Sequence, residues 1–87
     1  MARLFLPTQL KSLAGGASFL DLPGQTVGQV LDALNEQYPG TRQRLCDQNR
    51  LKPGTAVTVD GQIATLGLRQ AVTSDAEIHI LPAIGGG

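Results

Sequence analysis

Hydrophobic and polar positions alternate with period two at both ends of the chain and with helical period in between. Arg3-Leu4-Phe5-Leu6 sets Leu4 and Leu6 on one face and Arg3 and Phe5 on the other, the pattern of a half-buried strand. Pro7 cannot donate to a sheet ladder, so the strand is expected to end there. Thr8–Leu13 can hold a helical turn before the Gly15-Gly16 turn signal. Ser18–Leu22 alternates again with Leu20 and Leu22 inward, until Pro23-Gly24 stops it. These two segments suit a loose antiparallel hairpin whose outer face carries both Phe5 and Phe19. Val27, Val30, Leu31, Leu34 and Tyr38 then form one apolar stripe, with Gln29, Asp32, Asn35 and Glu36 opposite. Thr26 with Gln29 three positions on has the form of a capping box, and Pro39-Gly40 closes the helix Val27–Tyr38. Thr41 is placed to cap a short second helix, Arg42–Cys46.

Beyond the polar stretch Asp47–Pro53, the alternation of Thr55–Val59 predicts a strand. Asp60-Gly61 suits a type I′ hairpin turn, because both positions tolerate positive φ, and Gln62–Ala64 reads as the return strand. Leu66, Leu68 and Val72 are expected to cap the core from a connecting stretch. Glu77–Leu81 is the last strand, with Ile78 and Ile80 on one face and Pro82 ending it. Strands at both ends and one amphipathic helix between pairs give an α+β architecture. This is a β-grasp, a mixed sheet of four to five strands packed on one main helix. The expected division is a domain over 1–82 and a flexible glycine-rich tail over 83–87.

Composition narrows the function classes. Seven Lys/Arg balance seven Asp/Glu, so the general electrostatic footprint of a nucleic-acid binder is missing. No apolar run reaches the ~18 residues of a membrane span, and no signal-peptide core follows the opening residues. One cysteine, Cys46, and one histidine, His79, make neither a disulfide nor metal-ligand spacing, which points to a reducing cytoplasm. No triad, dyad or metal site is legible, so any chemistry the chain takes part in is expected to proceed without its side chains. Cys46 is expected as a small apolar residue at a helix end. His79 alternates outward. Arg42, Arg44, Arg50 and Lys52 against Asp47 read as a solvated basic face, with an acidic partner surface as the functional alternative.

The 11 glycines in 87 residues exceed the usual ~7%, and the excess is concentrated in Gly85, Gly86 and Gly87. A terminal triplet would arise by chance in about 0.03% of chains at that frequency. Chance therefore accounts for it poorly, and a frayed end is the plain alternative. Glycine lacks a Cβ, so such a tail can thread a channel too narrow for other residues and present an unhindered carboxylate.

With this tail on a β-grasp pattern, the chain resembles the ubiquitin-like sulfur carriers of the MoaD/ThiS family. The resemblance covers essentially the whole chain. It is carried by the strand Arg3–Leu6, the segment Thr26–Gly40, the Val57–Gly61 hairpin and the ending Ile80–Gly87. It is most similar to the CysO-type (cysteine-pathway) and MoaD-type (molybdopterin-pathway) members; a MoaD-type chain would be the small subunit of molybdopterin synthase. The resemblance implies that Gly87 is adenylated and then converted to a thiocarboxylate, that Gly86 completes the glycine pair, and that Ile84 anchors the tail. Gly85 lengthens the pair to a triplet. It further implies no bound cofactor, with ATP and magnesium used by an adenylating partner related to ubiquitin-activating enzymes, and a biosynthetic enzyme that accepts the sulfur. Phe5 and Phe19 are candidate partner contacts. A protein modifier conjugated to target lysines through its glycine is the alternative from another class.

Overall fold

The computed structural model describes residues 1–81. Two strands open the fold, β1 (Ala2–Phe5) and β2 (Phe19–Leu22), joined by a helical turn α1 (Thr8–Lys11) and a 3₁₀ turn (Ser12–Ala14). They pair antiparallel with Arg3 opposite Asp21 and Phe5 opposite Phe19. Helix α2 (Val27–Gln37) follows, then α3 (Thr41–Leu45) and a small hairpin of β3 (Cys46–Asp47) and β4 (Arg50–Leu51). Strands β5 (Ala56–Val59) and β6 (Gln62–Ile63), a 3₁₀ turn (Gly67–Arg69) and β7 (Glu77–Leu81) complete it. The main sheet runs β2-β1-β7-β5-β6. β1 and β7 pair parallel, whereas β5 pairs antiparallel with both β7 and β6. This is the mixed five-stranded sheet of a β-grasp.

One face of the sheet and one stripe of α2 make the core. Val27, Val30, Leu31 and Leu34 are fully buried against Leu4, Leu22, Val57, Ile78 and Ile80. The stripe is the one that helical spacing predicts. Tyr38 lies half-buried at its far end, where it is the C-cap. Leu20, expected inward with Leu22, is only half-buried beside the edge of the core. Leu68 and Val72 pack partly on the core as expected. Leu66 does not, standing 54% exposed.

The start of α2 is capped as its sequence requires, with one shift. Thr26 Oγ1 accepts from the Gln29 N–H at 3.2 Å, while Gln29 Oε1 accepts from Gln25 N–H at 2.8 Å, one residue before the expected partner. The expected cap of α3 is corrected. Thr41 is the first helical residue, fully buried, and its hydroxyl donates to the Tyr38 carbonyl at 2.9 Å. Gly40, at φ 99°, supplies the left-handed N-cap position that a side chain would strain. The free N–H groups of Gly40 and Arg42 are instead taken by Asn35 Oδ1 from α2, at 3.0 and 3.3 Å. Asp60 and Gly61 both have positive φ (53° and 84°), as a type I′ turn demands.

Candidate functional site

The outer face of the sheet, away from α2, carries the candidate docking surface. Strand register places Phe19, Phe5, His79, Thr58 and Ile63 in one row across all five strands. Residues directly opposite on neighbouring strands share a face. Phe5 lies within this row: its ring centroid is 5.8 Å from Phe19 and 4.3 Å from the His79 ring, with which it stacks nearly parallel at 3°. Phe19 is 41% exposed, and Ile63 is 59% exposed at the far end. Leu81, two residues beyond His79 on the same face, is 44% exposed. Sequence pattern alone reaches the two phenylalanines. It leaves out His79, Ile63 and Leu81 as members of the patch, because their company depends on strand order. The alternation of β7 does place His79 outward, and that is the signal from which it could have been found.

A polar border lies one row along. The Arg3 guanidinium donates to Asp21, Nε to Oδ1 at 3.0 Å, and its carbon sits 4.3 Å from the Phe19 ring centroid. The hydrogen bond from Arg3 holds the Asp21 carboxyl below its ordinary range, and the same bond raises the Arg3 guanidinium. Arginine over an aromatic face is a favourable cation–π geometry. The pair fixes the Phe19 end of the row and gives it a charged rim, the arrangement of an apolar interface centre with a polar edge.

The remaining polar candidates fall elsewhere. Cys46 is buried where α3 meets β3, and burial pushes its thiol up, opposed by the nearby Arg42. Arg42 is held by Asp32 Oδ1 at 2.8 Å and the Gln48 carbonyl at 2.9 Å. Arg44, Arg50 and Lys52 are exposed around it, a solvated basic face. Among the described residues no group of three or more His, Cys, Asp or Glu could hold a metal ion. No described helix is long and apolar enough to cross a membrane. Ile84, Gly85, Gly86 and Gly87, with the expected tail over 83–87, lie outside the described residues.

The sequence model of the ThiS family matches residues 4–87, from the first strand through the last glycine. The chain belongs to the ThiS family. Two curated relatives are the sulfur carrier protein CysO of Mycobacterium bovis and that of Mycobacterium tuberculosis. Each is 30% identical over 87 residues, covering 94% of both chains. Among solved structures, the Amycolatopsis orientalis BexX/CysO complex contains a chain that superposes with a TM-score of 0.93 at 27% identity, covering 100% of each. The small archaeal modifier protein 1 of Methanosarcina acetivorans superposes at 0.85 with 25% identity, covering 99% of this ThiS-family chain and 95% of its own. The fold and the family that the strand pattern and glycine ending implied are thus both established.

Proposed function

We propose that this chain is a sulfur carrier protein whose Gly87 carboxylate is activated and converted to a thiocarboxylate by partner enzymes. The observation that carries this reading is the family match over residues 4–87, Gly87 included, on a chain 30% identical to CysO. In the first step the carboxylate oxygen attacks the α-phosphorus of ATP, pyrophosphate leaves, and an acyl-adenylate forms. A sulfide equivalent then attacks the acyl carbon, AMP leaves, and the terminus becomes –C(O)S⁻ with release of a proton. ATP and magnesium belong to the adenylating partner; this chain supplies the terminus and the surface that presents it. The sulfur-accepting enzyme then takes the terminal sulfur. The likeness to CysO favours the CysO type over the MoaD type, with the work done in the cytoplasm.

The Phe19–Phe5–His79–Ile63 row is the surface by which the partner recognises the carrier, while Ile84, Gly85 and Gly86 lead the terminus into its channel. The occurrence of a CysO chain in a BexX/CysO complex supports a partner-bound role for this fold. Burial of an aromatic centre within a polar rim is the ordinary composition of such contacts.

Intact mass tests the reading. Incubation with an adenylating enzyme, ATP and a sulfide donor is expected to exchange one oxygen for one sulfur, and deletion of Gly87 is expected to abolish the exchange. A fully active deletion variant overturns it. The modifier reading draws support from the likeness to small archaeal modifier protein 1. It predicts instead a ladder of higher-mass conjugates in cell lysate, lost on treatment with an isopeptide-cleaving protease.

A further inference from the structure

A second concave surface lies off the end of β7 and has no part in the docking row. It is a groove of ≈ 260 Å³ whose apolar lining comes from Pro7, Leu10, Leu45 and Pro53, with Arg44 and Lys52 exposed on it. Strand register fixes its place. Ala56 pairs with Leu81 and Phe5 with His79, so Thr55 and Pro7, which both line the groove, stand just past the ladders on either side of β7. Backbone hydrogen bonds hold its walls. The Leu10 N–H donates to the Pro7 carbonyl at 2.9 Å, the Lys52 N–H to the Leu45 carbonyl at 2.9 Å and the Thr55 N–H to the Lys52 carbonyl at 3.0 Å. Leu10 and Leu45 are buried, and each proline fixes its own φ. The groove is therefore preformed, and little ordering entropy opposes its occupation.

Charge divides the molecule along the same strand. Two cations and no carboxylate line the groove. Among the described residues neither Arg44 nor Lys52 is engaged in an ion pair, whereas Arg42 is paired with Asp32. Asp60, Asp75 and Glu77, all exposed, lie at the other end of β7. There the Asp60 N–H donates to the Glu77 carbonyl at 2.8 Å and the Glu77 N–H to Asp60 Oδ1 at 2.9 Å.

We propose that the groove receives one large apolar side chain of a protein partner, with that partner's own carboxylates beside Arg44 and Lys52. Size, lining and charge each bear on the occupant. At ≈ 260 Å³ the groove is smaller than the roughly 300–1,000 Å³ of small-molecule pockets, and it suits one anchoring side chain better than a metabolite. Its apolar middle and cationic rim are the composition of a protein contact. A segment bearing carboxylates is complementary to that rim and is repelled from the acidic end of β7, so the two ends together orient its approach. The assignment stands on the groove and does not rest on the sulfur-carrier reading.

Nuclear magnetic resonance titration of the full, isotopically labelled chain with the capped peptide Glu-Asp-Leu-Asp-Glu tests this directly. Expected is a saturable shift of the Leu10, Leu45, Lys52 and Thr55 amide resonances, with those of Phe19 and Ile63 unmoved. The binding is expected to weaken as sodium chloride rises from ~50 mM to ~0.5 M. Alanine in place of the peptide's leucine is expected to weaken it at least roughly tenfold. The double variant Arg44→Glu with Lys52→Glu, on exposed positions, is expected to bind the acidic peptide at least roughly tenfold more weakly. It is expected to bind Lys-Arg-Leu-Arg-Lys instead, a gain that an unfolded chain would not show. Should that variant fail to fold, Arg44→Gln with Lys52→Gln reads the same loss. No saturable shift up to ~10 mM peptide overturns the proposal, as does unchanged affinity in the charge variants. Equal binding of the alanine peptide also overturns it, because any anion would then suffice. So does a short oligothymidylate that saturates the same amides at lower concentration than the peptide, which would make the groove a phosphate site.

Discussion

Single residues show how environment decides chemistry that composition leaves open. Cys46 is the only thiol in the sequence, yet burial raises its pKa, and the thiolate is the reactive form. Iodoacetamide at neutral pH is expected to label Cys46 far more slowly in the folded chain than in urea, as followed by intact mass; equal rates would mean the thiol is exposed. The opposite sign holds at Asp21. Its folded carboxyl titrates below the ordinary 3.8 because Arg3 donates to it. The bond therefore adds stability above the ordinary carboxylate range, and that stability is lost as pH falls through the lowered folded value. Asp21→Asn is expected to flatten the acid limb of thermal unfolding below about pH 4, with a small effect at neutral pH because the pair is exposed to solvent. The burial of Cys46 was legible from residue type. The bond between Arg3 and Asp21 was not, since it needs the register that sets them opposite one another.

At the level of elements, legibility follows how local the determining interactions are. Helix α2 was readable because its stripe, its Thr26 cap and its Pro39-Gly40 stop all lie within the segment itself. Thr26→Ala is expected to cost about 1 kcal/mol through the lost cap, and Leu31→Ala about 2–5 kcal/mol through the cavity left behind. Both are measured by urea unfolding. The Asp60-Gly61 turn was readable for the same reason. The β3–β4 hairpin was not, because strands as short as Cys46–Asp47 and Arg50–Leu51 offer no alternation to read. Its turn also places Gln48 at φ 60°, which the residue type does not advertise. The start of α3 was misread for a related reason. Its donors are satisfied by Asn35 from the neighbouring helix, so the local threonine is released to bury its hydroxyl against Tyr38.

For the whole molecule, the strand order creates what no single segment contains. The two phenylalanines were legible from the first hairpin, but the row reaches His79 and Ile63 only because β7 lies between β1 and β5. Under the proposed function, Phe5→Ser is expected to weaken binding to an adenylating enzyme by at least roughly tenfold, about 1.4 kcal/mol. Ile63→Asp, at the opposite edge, is expected to do the same if the contact spans the row. Circular dichroism should show both variants folded, and unchanged affinity in both would remove the row from the interface. The central position of β7 has another consequence, in time. Without it the sheet falls into two separate hairpins, β2–β1 and β5–β6, since no ladder joins β1 to β5 directly. A chain growing from its N-terminus can form the first hairpin and α2 early, but β1 must wait for residues 77–79 before its second edge is paired. Closing that long loop makes folding depend on β7, the last of the described strands. The two halves of the sheet therefore stay apart until residues 77–81 have been made.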